Sequence, residues 1–197
     1  MGFLTNQNRQ AQQMSERQTL ESKYLNSRHN LLIVLIFTAV NILLLVTNSN
    51  SYFLFSAYIP YLAVDLGMYL CGKYPAELYG ADYALAEFLP NGFLIVMVVI
   101  AVAILALYLL SWLFTKKGNK GWLVFALVFF SVDTGAMLLL NGISTDMIID
   151  VVFHAWVVYS LATGVSAANK LQKLPEEEPV PVAAEPLPEV TYGENDE

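Results

Sequence analysis

The stretch that decides the fold is G-F-L-I-V-M-V-V-I-A-V-A-I-L-A-L-Y-L-L-S-W-L-F, residues 92–114. It carries no charged residue, and it exceeds the roughly 20 residues that an α-helix needs to cross the hydrocarbon core of a bilayer. Three further blocks, residues 31–48, 121–140 and 147–168, are nearly as apolar. Since 56% of the chain is hydrophobic and 14% is charged, unlike a soluble domain, the sequence predicts an all-α integral membrane protein.

The distribution of Lys and Arg favours four transmembrane helices over five. Loops on the cytoplasmic side of a membrane retain these residues. With four helices and a cytoplasmic N-terminus, nine of the ten basic residues lie inside and Lys73 alone lies outside. A fifth helix at residues 52–71 would divide them five against five. We therefore expect both termini to be cytoplasmic, with residues 52–71 re-entering the membrane from outside or lying at its outer interface.

The outer segment between the first two transmembrane helices is rich in tyrosine. Seven of the eleven tyrosines lie in residues 49–90, here called the Tyr-rich segment. Tyrosine is favoured at the headgroup level, where its ring is buried and its hydroxyl is wetted. The predicted order of segments is a polar cytoplasmic N-terminal segment at 1–28, transmembrane helices at 29–48, 91–115, 121–141 and 145–168, and an acidic, Pro-rich cytoplasmic tail at 174–197, with the Tyr-rich segment between the first two helices.

The C-terminal tail has the composition of a disordered segment. The tail combines five prolines and eight acids with no base. Such a composition cannot form a hydrophobic core, so we expect the tail to be disordered.

The predicted outer segments contain no N-x-S/T acceptor site for glycosylation, which fits the plasma membrane of a bacterium.

Ionisable residues interrupt the last two apolar blocks at similar depths. Asp133 lies roughly 12 Å below the outer end of the third helix, and His154 lies roughly 13 Å below the start of the fourth. A hairpin that turns at residue 143 places the two at the same level. Asp150 lies four residues before His154, so these two share one helical face. The same face continues through small residues that let a neighbouring helix approach closely: Ser160, Gly164 and Ala168.

The first transmembrane helix adds Asn41, roughly 10 Å below its outer end, with Thr38 nearly one turn away. The second helix carries nothing comparably polar at this depth, and we expect it to face lipid or to pack. An acid near the bilayer centre costs about 3 kcal/mol even on a mild insertion scale, so the acids need partners or water. We predict an ion- or solute-binding cluster in the outer half of the membrane, formed by Asp133, Asp150, His154 and Asn41 and closed from above by Asp65.

Three functions compete for this cluster. An Asp/His group reached from outside would handle protons, cations or a small solute, because histidine titrates near neutral pH, and the Tyr-rich segment would be its lid. Alternatively, the protein is a structural or accessory membrane subunit, and the cluster is a packing clamp. An intramembrane enzyme is disfavoured, since no HExxH or GxSxG motif occurs. Asp150 and His154 supply only two metal ligands, which is a weak metal signal.

Partners are predicted from the same features. The four helices contact membrane lipid, and they are few for a transporter protomer, which favours a homo-oligomer or a larger membrane complex. The net charge of −7 and the placement of the basic residues at membrane ends argue against nucleic-acid binding. We expect no cofactor, and the single cysteine, Cys71, cannot form an internal disulfide.

Overall fold

The computed structural model of the chain describes residues 2–49, 52–53, 55–85, 87–116, 119–142 and 145–174, with side chains described outside 2–14, 81–85 and 146. The described residues form α-helices, short 3₁₀ segments and their connections, and no strand occurs among them. Residues 175–197, nearly all of the predicted acidic tail, lie outside the described part of the chain.

Five α-helices follow one another along the chain: α1 (Gly2–Val46), α2 (Tyr58–Leu70), α3 (Asn91–Thr115), α4 (Lys120–Asn141) and α5 (Ile148–Leu171). The 3₁₀ segments lie at Ala76–Leu85, where Gly80 interrupts the helical backbone, and at Thr145–Met147. Four helices are long and apolar enough to cross a membrane, namely the Ser15–Val46 part of α1 and the whole of α3, α4 and α5. This confirms the predicted all-α class with four candidate membrane helices.

α1 is longer than the predicted first transmembrane helix. It extends over 45 residues, about 68 Å, so the predicted N-terminal segment at 1–28 belongs to the same helix. Gln, Glu, Arg and Ala in this region favour helix, which explains why α1 extends beyond the apolar block. Buried residues recur along one face of α1 at helical spacing: Leu20, Ser27, Leu31, Val34, Thr38, Asn41 and Leu45.

α5 packs along α1. Gly164 of α5 lies against Ser27, and a Cβ atom added at Gly164 would overlap the Ser27 side chain. The Ser27 hydroxyl donates a hydrogen bond to the Ser160 carbonyl oxygen, and the Asn30 amide donates one to the Ser160 hydroxyl. The small residues on this face of α5 therefore allow close contact and interhelical hydrogen bonds.

After α1 the chain turns back along the same helix. The backbone of Phe53 bonds to the Asn41 side chain, and the Ala57 N–H bonds to Thr38. Thr38 lies eight residues, about 12 Å, before the end of α1. α2 starts at this level and returns toward the start of α3, where its last carbonyl oxygen accepts a hydrogen bond from the Leu89 N–H.

The opposite end of the helices is joined by polar contacts between α1 and the end of α3. The Tyr24 hydroxyl donates to the Thr115 carbonyl oxygen at 2.6 Å, and Arg28 Nε donates to the Thr115 hydroxyl at 3.0 Å. The Arg28 guanidinium also lies 5.8 Å from the centre of the Trp112 ring, within range of a cation–π interaction. With a cytoplasmic N-terminus, this is the inner end.

Buried apolar residues form two clusters, and polar residues lie between them. The larger cluster joins α1, α3, α4 and α5, and its α1 members are Leu31 and Val34. The smaller one joins α1, α2 and α3, with Leu45 from α1. Thr38 and Asn41 are buried between these members of α1. α3 has the smallest buried share of the four candidate membrane helices, which leaves most of its apolar surface for lipid.

Candidate functional site

Asp133 of α4 lies at the centre of the site and is 2% exposed. Its Oδ2 accepts a hydrogen bond from the Tyr58 N–H at 2.8 Å, and its Oδ1 accepts one from the Ile59 N–H at 2.7 Å. Tyr58 and Ile59 open α2, and the residue before them, Ala57, provides no side-chain cap. Because the first N–H groups of a helix lack partners and carry partial positive charge, Asp133 caps α2 from a neighbouring helix.

Two polar residues of α1 bond to the non-helical backbone that precedes α2, at Phe53 and Ala57. Asn41 Oδ1 accepts a hydrogen bond from the Phe53 N–H at 2.8 Å, and its Nδ2 donates to the Phe53 carbonyl oxygen at 2.6 Å. The Thr38 hydroxyl accepts from the Ala57 N–H at 2.8 Å and donates to the Val34 carbonyl oxygen at 2.6 Å. Non-helical backbone in apolar surroundings needs such partners. Thr38 and Asn41 therefore pair with backbone groups of Phe53 and Ala57 that lie outside any helix.

His154 of α5 approaches Asp133 from the other side. Its Nε2 lies 3.6 Å from Asp133 Oδ2, and both residues are 2% exposed. Its Nδ1 lies 2.8 Å from the Asp150 carbonyl oxygen. Since a carbonyl oxygen only accepts, Nδ1 carries a proton, and Nε2 either accepts or holds a second proton. Nε2 has no hydrogen bond to the described residues, so a second proton would lie between the imidazole and the carboxylate.

Aromatic rings fix the orientation of His154. The imidazole is stacked on Phe130 with a centroid distance of 5.2 Å, and it meets Phe153 edge to face at 5.5 Å. Both phenylalanines are buried, and they exclude water from this part of the pair. Charge–charge interactions are stronger in such surroundings than in water.

Asp150 and Tyr52 are more exposed groups that interact with the buried pair. Asp150 is partly exposed and interacts electrostatically with His154 and with Tyr52. The Tyr52 and Ser56 hydroxyls are 3.0 Å apart and form a hydrogen bond. Burial raises the pKa of Tyr52, and the charges of Asp150 and Asp133 raise it further. Tyr52 is therefore a neutral hydroxyl group at neutral pH.

Asp65 and Asn41 contact other groups than the Asp133–His154 pair. Asp65 lies on α2, seven residues and about 10 Å beyond Tyr58. Its carboxylate accepts a hydrogen bond from the Tyr74 hydroxyl. The structure thus brings Asp133, His154 and Asp150 together, while it places Asp65 at Tyr74 and Asn41 at the backbone of Phe53.

Tyr108 of α3 is a residue of this site that sequence reasoning missed. It is 1% exposed, and its ring packs on Phe129 and Phe130 with centroid distances of 5.1 and 6.4 Å. Its hydroxyl interacts electrostatically with Asp133 and has no hydrogen-bond partner among the described residues. The available signal was its position, since a tyrosine deep within an apolar block is far from the headgroup level that tyrosine prefers.

No group of three or more His, Cys, Asp and Glu side chains is placed to hold a metal ion in the part of the chain that the structure describes. Asp150 and His154 were predicted as weak candidates for metal ligands. The hydrogen bond between them joins the His154 ring to the Asp150 backbone carbonyl oxygen. The arrangement therefore offers a carboxylate, an imidazole and nearby hydroxyl groups, which are groups that bind and pass protons.

Comparisons of the chain with protein-family models, with curated proteins and with solved structures find no match. The functional inference therefore rests on the geometry around Asp133 and His154.

Proposed function

We propose that this membrane protein takes up and releases protons at the buried pair formed by Asp133 and His154. The supporting observation is the position of His154 Nε2, 3.6 Å from Asp133 Oδ2 and without a hydrogen bond to the described residues. Because Nδ1 already donates to a carbonyl oxygen, a proton bound at Nε2 faces the carboxylate and is stabilised by its negative charge. The pair therefore holds one exchangeable proton.

A proton fits this pair better than a metal cation or a larger solute. Both oxygens of Asp133 already accept backbone N–H groups of α2. These donors occupy lone pairs that a metal ion would need, and their positive ends repel a cation. A zinc site has three or four protein ligands, and no group of three His, Cys, Asp and Glu side chains is placed to hold a metal ion among the described residues. A proton requires only the space between Nε2 and Oδ2.

Asp150 and Tyr52 are the proposed outer approach to the pair. Asp150 is partly exposed, and its charge interacts with His154. The Tyr52 hydroxyl interacts electrostatically with both Asp150 and Asp133. Protons would reach His154 from the surface along these groups, which lie within the first turns of α5 and beside the start of α2. With cytoplasmic termini this surface faces outside.

A second function, that of a structural or accessory membrane subunit, is favoured by a different observation. Thr38, Asn41 and Asp133 together make five hydrogen bonds to backbone groups between Phe53 and Ile59. These bonds hold non-helical backbone and the start of α2 against α1 and α4. In this function the polar residues are a clamp for a re-entrant segment, and the activity lies in a partner protein.

A proton-flux assay in liposomes distinguishes the two functions. We expect the native protein to dissipate an imposed pH gradient, as reported by an enclosed pH-sensitive dye. His154→Gln should lower the rate at least about tenfold, because a positioned acid–base group contributes at least this much to proton transfer. Gln retains a polar side chain, and position 154 makes none of the hydrogen bonds that hold α2.

Glu87→Gln is the matched control, since it neutralises an exposed acid outside the site. We expect it to keep the native rate, and both variants should show native circular dichroism. Native protein that conducts no faster than protein-free liposomes would contradict the proton function. That result would leave the clamp as the role of the cluster and would direct the search to a partner protein that copurifies.

A further inference from the structure

A polar groove lies between α1 and α5, at the end opposite the Asp133–His154 pair. The groove has a volume of about 490 Å³. α1 contributes one helical face, and α5 contributes a single residue near its end. The lining residues are Ser15, Glu16, Thr19, Leu20, Lys23 and Lys170.

The charges in the groove favour an anion. Lys23 and Lys170 bring two ammonium groups to the same groove, and Glu16 brings one carboxylate, so the lining carries one net positive charge. Neither ammonium group has an ion pair or a hydrogen bond to the described residues. The net positive charge of the lining attracts an anion. The Ser15 hydroxyl adds a donor that suits an oxyanion, whereas the Thr19 hydroxyl already donates to the Ser15 carbonyl oxygen at 2.9 Å.

The groove lies before the apolar block of α1, near the level at which α3 and α5 end. Lys23 directly precedes Tyr24, whose hydroxyl bonds to the last turn of α3. Lys170 lies in the last turn of α5. Both lysines are therefore at the edge of the candidate membrane helices, at the level of lipid headgroups. Basic residues at this level are attracted to anionic lipid.

We propose that this groove binds a phosphate group carrying one or two negative charges, supplied by the headgroup of an anionic phospholipid. Lys23 and Lys170 bind the phosphate oxygens, with the Ser15 hydroxyl as a further contact. Leu20, which is 6% exposed, gives the groove an apolar floor beside the headgroup. Free phosphate shares the chemistry but would gain nothing from the apolar surface of the helices next to the groove. The site is independent of the proposed proton function.

Native mass spectrometry of the detergent-solubilised full chain tests the proposal. The probes are phosphatidylglycerol, phosphatidylcholine of the same acyl chains, and inorganic phosphate. We expect phosphatidylglycerol to bind at least about tenfold tighter than phosphatidylcholine, and the double variant Lys23→Gln, Lys170→Gln to lose at least about tenfold in affinity, since each lysine near the headgroup contributes to binding.

The double variant Lys116→Gln, Lys173→Gln is the charge-matched control, because both residues are exposed at the same end but outside the groove. It should keep the native affinity within about twofold. Equal losses in the two double variants would overturn the groove as the site, and binding of inorganic phosphate as tight as that of phosphatidylglycerol would overturn the lipid as the source.

Glu16→Gln provides a measurement that impaired folding cannot imitate. Removing this carboxylate raises the net positive charge of the groove, so we expect phosphatidylglycerol to bind more tightly than to the native protein. Unchanged or weaker binding by Glu16→Gln would contradict the proposed position of the phosphate.

Discussion

Asp133 accepts two backbone hydrogen bonds from α2 and faces His154 of α5. One carboxylate on α4 therefore joins three helices, and it serves both proposed functions. Replacing it by Asn would exchange one acceptor oxygen for a donor and leave a backbone N–H unpaired, at a cost of about 1–3 kcal/mol. For this reason His154→Gln separates proton exchange from the capping of α2 more cleanly than Asp133→Asn does.

Tyr74 and Asp65 form a partly buried contact whose strength depends on pH. Burial raises the pKa of Tyr74 above its usual value of 10.0, and the hydrogen bond to Asp65 and the Asp65 charge raise it further. The folded protein therefore favours the neutral phenol. The stabilisation is fully present below about pH 10, and it is lost as the pH rises through the higher pKa of the folded state.

Tyr74→Phe should remove this dependence. We expect the variant to be about 1 kcal/mol less stable at pH 7, because one hydrogen bond is lost. Between pH ~10 and pH ~11.5 its stability should fall less steeply than that of the native protein. Chemical unfolding in detergent at several pH values measures both effects, and Tyr159→Phe, at an exposed position, is the control. Parallel curves for native protein and Tyr74→Phe would contradict the contact.

The depths of Asp133 and His154 could be predicted from the sequence, but the groups to which they bond could not. Asp133 and His154 were placed at one level by the rise of 1.5 Å per residue, because both helices are regular and the turn between them is short. The capping of α2 by Asp133 could not be predicted, since backbone N–H groups leave no mark in the residue pattern. Tyr108 was missed because a single tyrosine in an apolar helix does not show whether it faces lipid or the protein interior.

At the scale of elements, α2 and the non-helical backbone of Phe53 and Ala57 before it depend on side chains from other helices. We propose that the Tyr-rich segment re-enters the membrane, because its backbone bonds to Thr38 and Asn41. Both residues lie well within the apolar part of α1. A stretch without its own helical hydrogen bonds can lie at such a level only if other groups pair its backbone. The polar residues of α1 and α4 do so.

Contact between α1 and α5 depends on the absence of a side chain at Gly164. Gly164→Ala would place a methyl group on the Ser27 side chain, and we expect it to destabilise the protein by about 1–3 kcal/mol through overpacking. Gly135→Ala is the matched control, because nothing lies within 4 Å of a Cβ atom added at this helical glycine of α4. It should be neutral or stabilise the protein by up to about 1 kcal/mol.

Unfolding of both variants in detergent, followed by circular dichroism, gives the comparison. Equal stability of Gly164→Ala and Gly135→Ala would show that α1 and α5 are not as close at this point as the structure has them.

At the scale of the whole molecule, the lengths of the apolar blocks determined how much of the fold could be predicted. Blocks of about 20 apolar residues specify membrane helices because lipid leaves the backbone no other partners, and four such helices are present. The predicted boundary between the polar segment at 1–28 and the first membrane helix is not a structural boundary, because α1 is continuous across it. Hydropathy changes there, but helix propensity does not. The cytoplasmic position of both termini remains a prediction from the basic residues.

The two proposed sites lie at opposite ends of the molecule. Asp133 and His154 lie in the half that contains α2, and the groove with Lys23 and Lys170 lies beyond the other end of the apolar helices. With the predicted orientation, the protein would exchange protons near the outer surface and hold an anionic lipid at the inner one.

Counting protons is the most direct test of the proton function. We expect the purified native protein, titrated from pH 8 to pH 5 in detergent, to take up about one proton per chain more than the folded His154→Gln variant. His29 and all other ionisable groups are common to both proteins, so the difference belongs to position 154 and its partner. Equal uptake by the two folded proteins would contradict a proton site at Asp133 and His154.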